Sequence, residues 1–435
     1  MDANIRGREA LARWLEAQPI DLYADDTAAS ALCVHHGLQD RAEAFHHAGR
    51  IVAGPLHDVV VDNNLHRNLP HLEAWDGIGR RTNQVHHHPT WWDAGRYIYG
   101  TGIMAAYGEA SAPHRAILTL FYLTAQAGEA GHNCPLACAA GAIRTLQELG
   151  TDSQQERYLT RLLDPDFDTN FTASQFLTEV QGGSDVGANA LRAVSAGGAQ
   201  DAGSVWALHG EKWFCSNVDA DVFVMTARPE GGQDGTRGLG LFLVPRICPD
   251  GTLNRFTVRR LKDKLGTRSM ASGEMDFEGA YAEALGPVSA GFKNVIELVI
   301  TTSRLYNAAG CAAHARRAWV VASTYAQHRE AFGQPIGRFA QVRETLAWMR
   351  ADAEAALAST LWLGSVLEEI EAGQASESLS AFFRMAVNLN KLETAVRAHD
   401  VVNHGIEVLG GNGAIESFSI LPRLLRDNVV YENWE

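Results

Sequence analysis

The stretch FLTEVQGGSD, Phe176 to Asp185, joins an apolar run to a Thr-Glu pair and then to a Gly-Gly-Ser-Asp turn. Gly182 and Gly183 remove the Cβ atoms that would hold a ligand away from the backbone, and they permit positive φ. Thr178 and Ser184 add short hydroxyls that both donate and accept. These are the properties of a loop pressed against a flat, polar, anionic molecule. Standing alone, the same ten residues read as a surface turn between two elements.

The texture of the chain changes at this loop. Up to about residue 170 the sequence reads as helical, with residues 106–130 and 135–150 dense in Ala, Leu and Ile and no strand-like alternation between them. Beyond it come short β-prone runs, VWALHG, KWFCSN, VFVMTAR, LGLFLVP, FTVRRL and GEMDFEG, separated by turns such as ARPEGGQDGTRG and CPDGTLN. That pattern predicts a small antiparallel barrel or sandwich. After about residue 290 helical periodicity returns: Val342, Leu346, Met349, Ala353, Leu357 and Leu361 form the stripe a bundle helix buries, and Gly373 marks its stop. Further helices are expected over residues 294–328 and 378–408.

Composition excludes several classes. A chain of 435 residues with 46% hydrophobic and 20% charged residues is globular and large enough for two or three domains. A net charge of −14 argues against a polyanion bound over a wide surface. The local crowd of Arg255, Arg259, Arg260, Lys262, Lys264 and Arg268 reads as a solvated strand edge. Six scattered cysteines form neither a disulfide framework nor a zinc knuckle and point to free thiols in a reducing cytoplasm. The histidine pairs at 35/36 and 46/47 and the triplet His86 to His88 lack thiols or carboxylates at ligand spacing. They are expected to be polar surface or interface groups, and no metal site is expected. The N-terminus carries no signal-peptide pattern, and no apolar run reaches the roughly 18 residues of a membrane span.

Five further blocks follow the opening loop: GEKWFCSN at Gly210 to Asn217, LKDKLGTRS at Leu261 to Ser269, REAFGQPI at Arg329 to Ile336, EVLGGNG at Glu407 to Gly413, and LPRLLRDNVVYENWE at Leu421 to Glu435. In order, spacing and content the six blocks resemble the acyl-CoA dehydrogenase family of flavoproteins. HHHPTWWD at His86 to Asp93 and the wording TEVQGGSDV and LKDKLGTRS resemble its alkylation-response, AidB-like branch. The resemblance covers residues from about 90 to 435. It implies a mainly helical α+β fold with a helical N-terminal domain (residues 1–170), an antiparallel β-barrel (171–288) and a C-terminal four-helix bundle (289–435). It also implies a cytoplasmic homotetramer holding FAD, with the flavin shared across subunits.

The resemblance further assigns roles by position. Thr178 and Ser184 would line the flavin and the substrate mouth, and Phe214 and Ser216 would flank the ring. Arg329 and Phe332 would reach the pyrophosphate and flavin of a neighbouring subunit, a task suited to a bidentate guanidinium. Gly410 and Gly411 would bring backbone amides to a phosphate. Glu435 in YENWE matches the carboxylate that removes the α-proton of an acyl thioester while hydride leaves for flavin N5. The family's other base position falls at Ser303, before Arg304, and serine cannot act as that base. Trp434 stands where fatty acyl members carry a smaller tyrosine, which implies a short, branched or atypical acyl group. Family members continue past this Glu with a segment that helps bind flavin, so the sequence is expected to be either a piece of a longer chain or one of compromised activity.

The expected activity is α,β-dehydrogenation of an acyl-CoA or similar thioester, with an electron acceptor the sequence does not specify. Two other readings stand beside it. One is a stress-response flavoprotein that binds nucleic acid or a partner, although the acidic charge makes nucleic acid an unexpected ligand for this chain. The other is a flavin oxidase or monooxygenase on the same fold.

Overall fold

The computed structural model describes residues 3–109 and 113–434. Its N-terminal part contains helices α1 (Ala3–Glu16), α2 (Thr27–His35), α3 (Ala42–Ala53), α4 (Pro55–Asn63), α5 (Pro89–Tyr99), α6 (His114–Ala125) and α7 (Ala130–Leu149). Pro55 and Pro89 sit in the first turns of α4 and α5, where a missing N–H costs nothing. The helix expected from residue 135 begins at Ala130, because the buried Glu129 caps it by accepting the Gly131 N–H. Pro135 is carried inside it.

The expectation that no strand interrupts the helical texture up to residue 170 fails at one place among the described residues. Strands β1 (His71–Trp75) and β2 (Arg81–His86) form an antiparallel hairpin. Asn83 holds it on the barrel: its Nδ2 donates to the Phe256 carbonyl at 2.8 Å and its Oδ1 accepts from Val258 N at 3.0 Å. These bonds cross more than 170 residues, so local pattern could not announce them.

The middle of the chain folds as strands β3 (Ala173–Phe176), β4 (Arg192–Ser195), β5 (Val205–Ser216), β6 (Val222–Pro229), β7 (Gly240–Pro245), β8 (Phe256–Leu261) and β9 (Ser272–Ala284). Antiparallel pairings run β6 to β7 to β9 to β5 to β4, and β4 returns to β6 through Arg192↔Arg228 and Ala193↔Pro229, so the sheet closes into a barrel. Most of the barrel is antiparallel, as expected, while β3 and β4 both run parallel to β6. Its interior is filled by Phe176, Trp206, Phe223, Phe242, Met275 and Phe277.

The C-terminal part is a bundle of α8 (Thr301–His328), α9 (Ala340–Glu371), α10 (Glu377–Leu409) and α11 (Leu421–Asn433). Of the predicted stripe, Met349, Ala353, Leu357 and Leu361 are buried while Val342 and Leu346 are half-buried, and Gly373 adopts φ +67 just past the end of α9. Between α8 and α9, Arg329 to Pro335 forms a small hairpin of β10 (Glu330–Ala331) and β11 (Gln334–Pro335).

One contact fixes the barrel against the bundle. Gly266, in the LKDKLGTRS block, lies so close to α11 that a Cβ there would overlap the Arg426 carbonyl oxygen. Next to it the Thr267 N–H donates to Asp427 Oδ1 at 2.6 Å. Gly266→Ala is therefore expected to force the barrel loop and α11 apart and to lower stability by about 3 kcal/mol. Thermal or denaturant unfolding measures this, and an unchanged midpoint would mean the junction yields freely.

Candidate functional site

The opening loop is organised around one buried ion pair. Lys212 on β5 has no exposed side-chain surface, and its ammonium donates to Glu179 Oε1 at 2.8 Å and to the Leu177 carbonyl at 3.1 Å. Glu179 in turn accepts from the backbone N–H of Ala190 at 2.6 Å and Leu191 at 3.2 Å, and from Gln181 at 2.8 Å. Both ends of the loop, Leu177 and Leu191, are thus tied to the same two charges. Burial acts to raise the Glu179 carboxyl, but the Lys212 charge and the converging N–H donors outweigh it and hold it below its ordinary range. Within the loop, Gly183 packs on Thr178, where a Cβ would come 2.9 Å from the Thr178 hydroxyl. Ser184 is exposed at the turn.

Lys212 also explains the geometry of KWFCSN. A bulge between Lys212 and Cys215 inserts one extra residue on β5. Lys212 and Cys215 both point into the barrel, three positions apart instead of two, so Trp213 and Phe214 lie outside together. Phe214 is 54% exposed. The Lys262 ammonium sits 3.7 Å from the Trp213 ring centroid and 4.6 Å from that of Phe214, and it bonds Glu274 at 2.9 Å. The Trp213 N–H donates to the Thr178 carbonyl at 3.0 Å, joining strand and loop into one wall. Beside the wall, the Ser174 hydroxyl donates to the Ser216 and Asn217 carbonyls at 2.7 Å. Asn217 takes φ +54, and its buried Nδ2 has no hydrogen-bond partner among the described residues.

Arg329, Phe332, Gly410 and Gly411 form a second group. The Arg329 N–H closes the last turn of α8 on the Tyr325 carbonyl at 2.8 Å, and the Tyr325 hydroxyl accepts from Asn412 in the LGGNG turn at 3.2 Å. The hairpin and the glycine turn are therefore neighbours at one end of the bundle. Phe332 is 96% exposed with φ +52, and Gly410 has φ +62. Among the described residues no hydrogen bond or ion pair joins this group to the wall of Thr178, Phe214 and Ser216.

Glu435 lies outside the described residues. Its neighbour Trp434 packs against Cys134, Cys138 and Met270, two of them one turn apart on α7. The Glu432 carboxylate lies 2.7 Å from His399 Nδ1 without hydrogen-bond geometry, and its backbone carbonyl accepts from the buried Lys391 at 2.9 Å. Ser303 accepts from Gln175 on β3 at 3.0 Å. Half of the basic stretch is paired with acids, Arg259 with Asp276 and Glu211, and Arg260 and Lys262 with the single Glu274. Of the histidine triplet, His86 faces Glu73, His87 faces Asp219, and His88 caps α5. The residues that sequence reasoning passed over are Glu179 and Lys212. Their types were in view, but their pairing spans 33 positions.

Residues 174–280 match the acyl-CoA dehydrogenase middle domain, residues 289–435 the acyl-CoA dehydrogenase C-terminal domain, and residues 15–169 the N-terminal domain of the adaptive response protein AidB. The putative acyl-CoA dehydrogenase AidB of Escherichia coli (strain K12) is 33% identical over 379 residues, 85% of this chain and 67% of its own length. Acyl-CoA dehydrogenase family member 11 of Caenorhabditis elegans is 32% identical over 383 residues, 84% of this chain and 60% of its own length. Among solved structures, Bd2924 in its apo form superposes with a TM-score of 0.89 at 29% identity, covering 96% of this chain and 84% of that one. The Caenorhabditis elegans ACDH-11 complex with C11-CoA gives 0.85 at 28% identity, covering 96% and 72%. The chain belongs to the acyl-CoA dehydrogenase family, with an AidB-type N-terminal domain. It spans 60% and 67% of the lengths of the two relatives compared by sequence.

Lys212→Met leaves Glu179 buried without its counter-charge and is expected to cost about 3 to 5 kcal/mol, while pairing it with Glu179→Gln recovers most of that loss. Denaturant unfolding of the two single variants and the double variant tests this, and additive losses would refute the coupling. Asp427 is buried with one oxygen unpartnered among the described residues, and burial pushes its carboxyl up to about 6. An unfolded Asp titrates near about 4, so the folded state holds the extra proton between about pH 4 and 6, and stability falls as pH rises through that window. Asp427→Asn keeps the Thr267 acceptor without the charge. It is expected to be more stable than the parent at pH 7.5 by on the order of 2 kcal/mol, with the gain fading toward pH 4.5. Superimposable pH profiles would contradict it.

Proposed function

We propose that this chain performs FAD-dependent dehydrogenation of an acyl-CoA or similar thioester. The observation that carries the reading is the bulged β5 wall, on which Phe214 and Ser216 stand beside the Thr178 loop. Its make-up suits an isoalloxazine ring: an exposed aromatic face and two hydroxyls. A flat ring needs such an open strip, and no heavy atom lies within 4 Å of where a Cβ on Gly182 would stand. Thr178, Ser184, Phe214 and Ser216 would hold the ring, with Arg329, Phe332, Gly410 and Gly411 serving the pyrophosphate of a neighbouring copy. Bound there, FAD supplies the two-electron acceptor for the hydride leaving the substrate β-carbon.

Glu435 is the base of this proposal. Its carboxylate takes the α-proton, the electrons of that C–H bond form the α,β double bond, and the product is the enoyl thioester. Trp434, seated on Cys134, Cys138 and Met270, bounds the acyl side and favours a short or branched chain. The names of the relatives, which include acyl-CoA dehydrogenases, and the acyl-CoA held by the ACDH-11 structure support the substrate class.

The reading includes a cytoplasmic homotetramer. Between α9 and α10 runs an apolar groove of about 420 Å³ lined by Trp362, Phe382, Met385 and Leu389, each more than 40% exposed, which a second copy would cover. All six cysteines are free thiols, in keeping with a reducing compartment. No helix among the described residues is long and apolar enough to cross a membrane.

The test is spectroscopic. The purified protein should be yellow, and a short-chain or branched acyl-CoA added without oxygen should bleach the flavin band. Glu435→Gln should keep the colour and slow bleaching by at least about a hundredfold. A panel of acyl-CoAs that leaves the flavin oxidised, with Glu435→Gln indistinguishable from the parent, would reject the dehydrogenase reading.

A further inference from the structure

Helix α1 carries one large side chain onto the bundle. Ala10, Trp14 and Gln18 recur at four-residue spacing and share one face: Ala10 and Trp14 are buried and Gln18 is half-buried, while Arg13, Leu15 and Glu16 stand exposed. Trp14 meets two rings at once. It stacks on Phe418 with centroids 5.1 Å apart and planes at 16°, and it makes a T-shaped contact with Tyr325 at 5.4 Å and 88°. Its Nε1 donates to the Thr324 hydroxyl at 3.2 Å, and Gln18 Nε2 donates to the same oxygen at 2.8 Å. Thr324 in turn donates to the Val320 carbonyl at 2.8 Å, so the hydroxyl uses its proton and both lone pairs.

The two rings belong to the two elements that carry Arg329, Phe332, Gly410 and Gly411. Tyr325 is in the last turn of α8, and its carbonyl accepts the Arg329 N–H at the base of the β10–β11 hairpin. Phe418 lies in the segment leaving the LGGNG turn, where the Ile415 N–H donates to the Asn412 carbonyl at 3.2 Å and the Phe418 N–H to the Ile415 carbonyl at 3.0 Å. The turn packs little of its own: a Cβ at Gly410 or Gly411 would meet no atom within 4 Å. Asn412 ties it to the Tyr325 hydroxyl through one neutral hydrogen bond at 3.2 Å, which holds it only modestly. Trp14 bridges the same two elements by apolar contact, buried among Tyr325, Leu409 and Ile420.

We propose that Trp14 is a positioning residue for the pyrophosphate half of the flavin cofactor. It fixes the spacing between the Arg329 hairpin and the glycine turn, so that guanidinium and backbone amides face one diphosphate together. A glycine turn left free would lose conformational entropy on binding, and ordering it beforehand removes that cost from the affinity. Trp14 does this from a helix that touches none of the proposed ligand groups itself. The wall of Thr178, Phe214 and Ser216 stands on the barrel and shares no hydrogen bond or ion pair with this group among the described residues, so the effect falls on the phosphate end. The inference rests on the assignment of Arg329, Phe332, Gly410 and Gly411 to the pyrophosphate under the function proposed above.

The test uses the flavin-loaded full chain, freed of excess flavin and diluted well below the melting temperature, with FAD release read as the rise of flavin fluorescence. Trp14→Leu should release FAD at least about tenfold faster than the parent, the loss of a preordered site. The visible spectrum of its bound flavin should match the parent's, because the wall that meets the ring is unchanged. Trp14→Phe, which keeps a ring between Phe418 and Tyr325, should stay within about threefold of the parent. Thr324→Val removes the acceptor of Trp14 and Gln18 and should speed release severalfold; it is the readout if Trp14→Leu fails to fold. Release at the parent's rate from whichever variant is read, or faster release accompanied by a shifted flavin spectrum, would overturn this inference and leave the dehydrogenase reading standing. So would a Trp14→Phe variant that loses FAD as fast as Trp14→Leu. A parent chain that carries no FAD would reject both.

Discussion

The ion pair between Lys212 and Glu179 is the constraint on which the candidate site rests. An ammonium and a carboxylate withdrawn from water gain little net stability over a well-packed apolar pair, because desolvation offsets their attraction. What they impose is a penalty on every arrangement that separates them. Glu179 cannot leave Lys212 without exposing a buried charge, and it cannot move without releasing the N–H groups of Ala190 and Leu191. Lys212 cannot rotate out of the barrel without erasing the bulge that puts Trp213 and Phe214 on the outside. Loop and strand therefore share one conformation, although each alone contains glycines and polar residues that would permit several.

A second constraint acts where the three parts of the chain converge. The barrel loop carrying Gly266 and Thr267 touches α11, and Ser269 of the same loop donates to Glu129 at the start of α7. Glu129 also accepts from Asn63 and Asn64 at the end of α4. One carboxylate thus gathers donors from the N-terminal helices and the barrel, while Asp427 receives the barrel from the bundle side. The cluster of Trp434, Met270 and the α7 cysteines, which bounds the acyl side in the proposed function, lies at this convergence. Its shape is set by contacts among all three regions rather than by any one of them.

Much of this was legible in the residues. The β-prone runs between glycine-rich turns announced the barrel, because a half-buried strand needs alternation and a turn needs Gly, Asp or Pro. The stripe from Met349 to Leu361 announced α9 for the equivalent helical reason. What remained hidden depended on distant partners. The hairpin of β1 and β2 is built from HLEAW and RTNQVH, whose residues are mostly polar and half-exposed, and it is held by Asn83 on a strand more than 170 residues away. Glu179 was visible as half of a Thr-Glu pair, yet its role needed Lys212.

The hairpin bearing Phe332 links these constraints to the proposed assembly. A phenylalanine at φ +52 occupies the left-handed region at a cost of about 1 to 2 kcal/mol, and at 96% exposure its ring recovers nothing by burial within its own chain. Arg329, at the base of the hairpin, is likewise exposed, and the adjacent LGGNG turn presents backbone without side chains. An aromatic ring, a guanidinium and open amides turned outward together form a surface suited to a planar anionic ligand held by another copy. The wall of Phe214, Ser216 and Thr178, meanwhile, has hydroxyls and an aromatic face, while the basic side chains beside it among the described residues, Lys262 and Arg260, share the Glu274 carboxylate. Each group supplies what the other lacks, one the apolar ring contacts and the other the phosphate charge. Their separation within a single chain is what the proposed sharing of flavin between subunits accounts for.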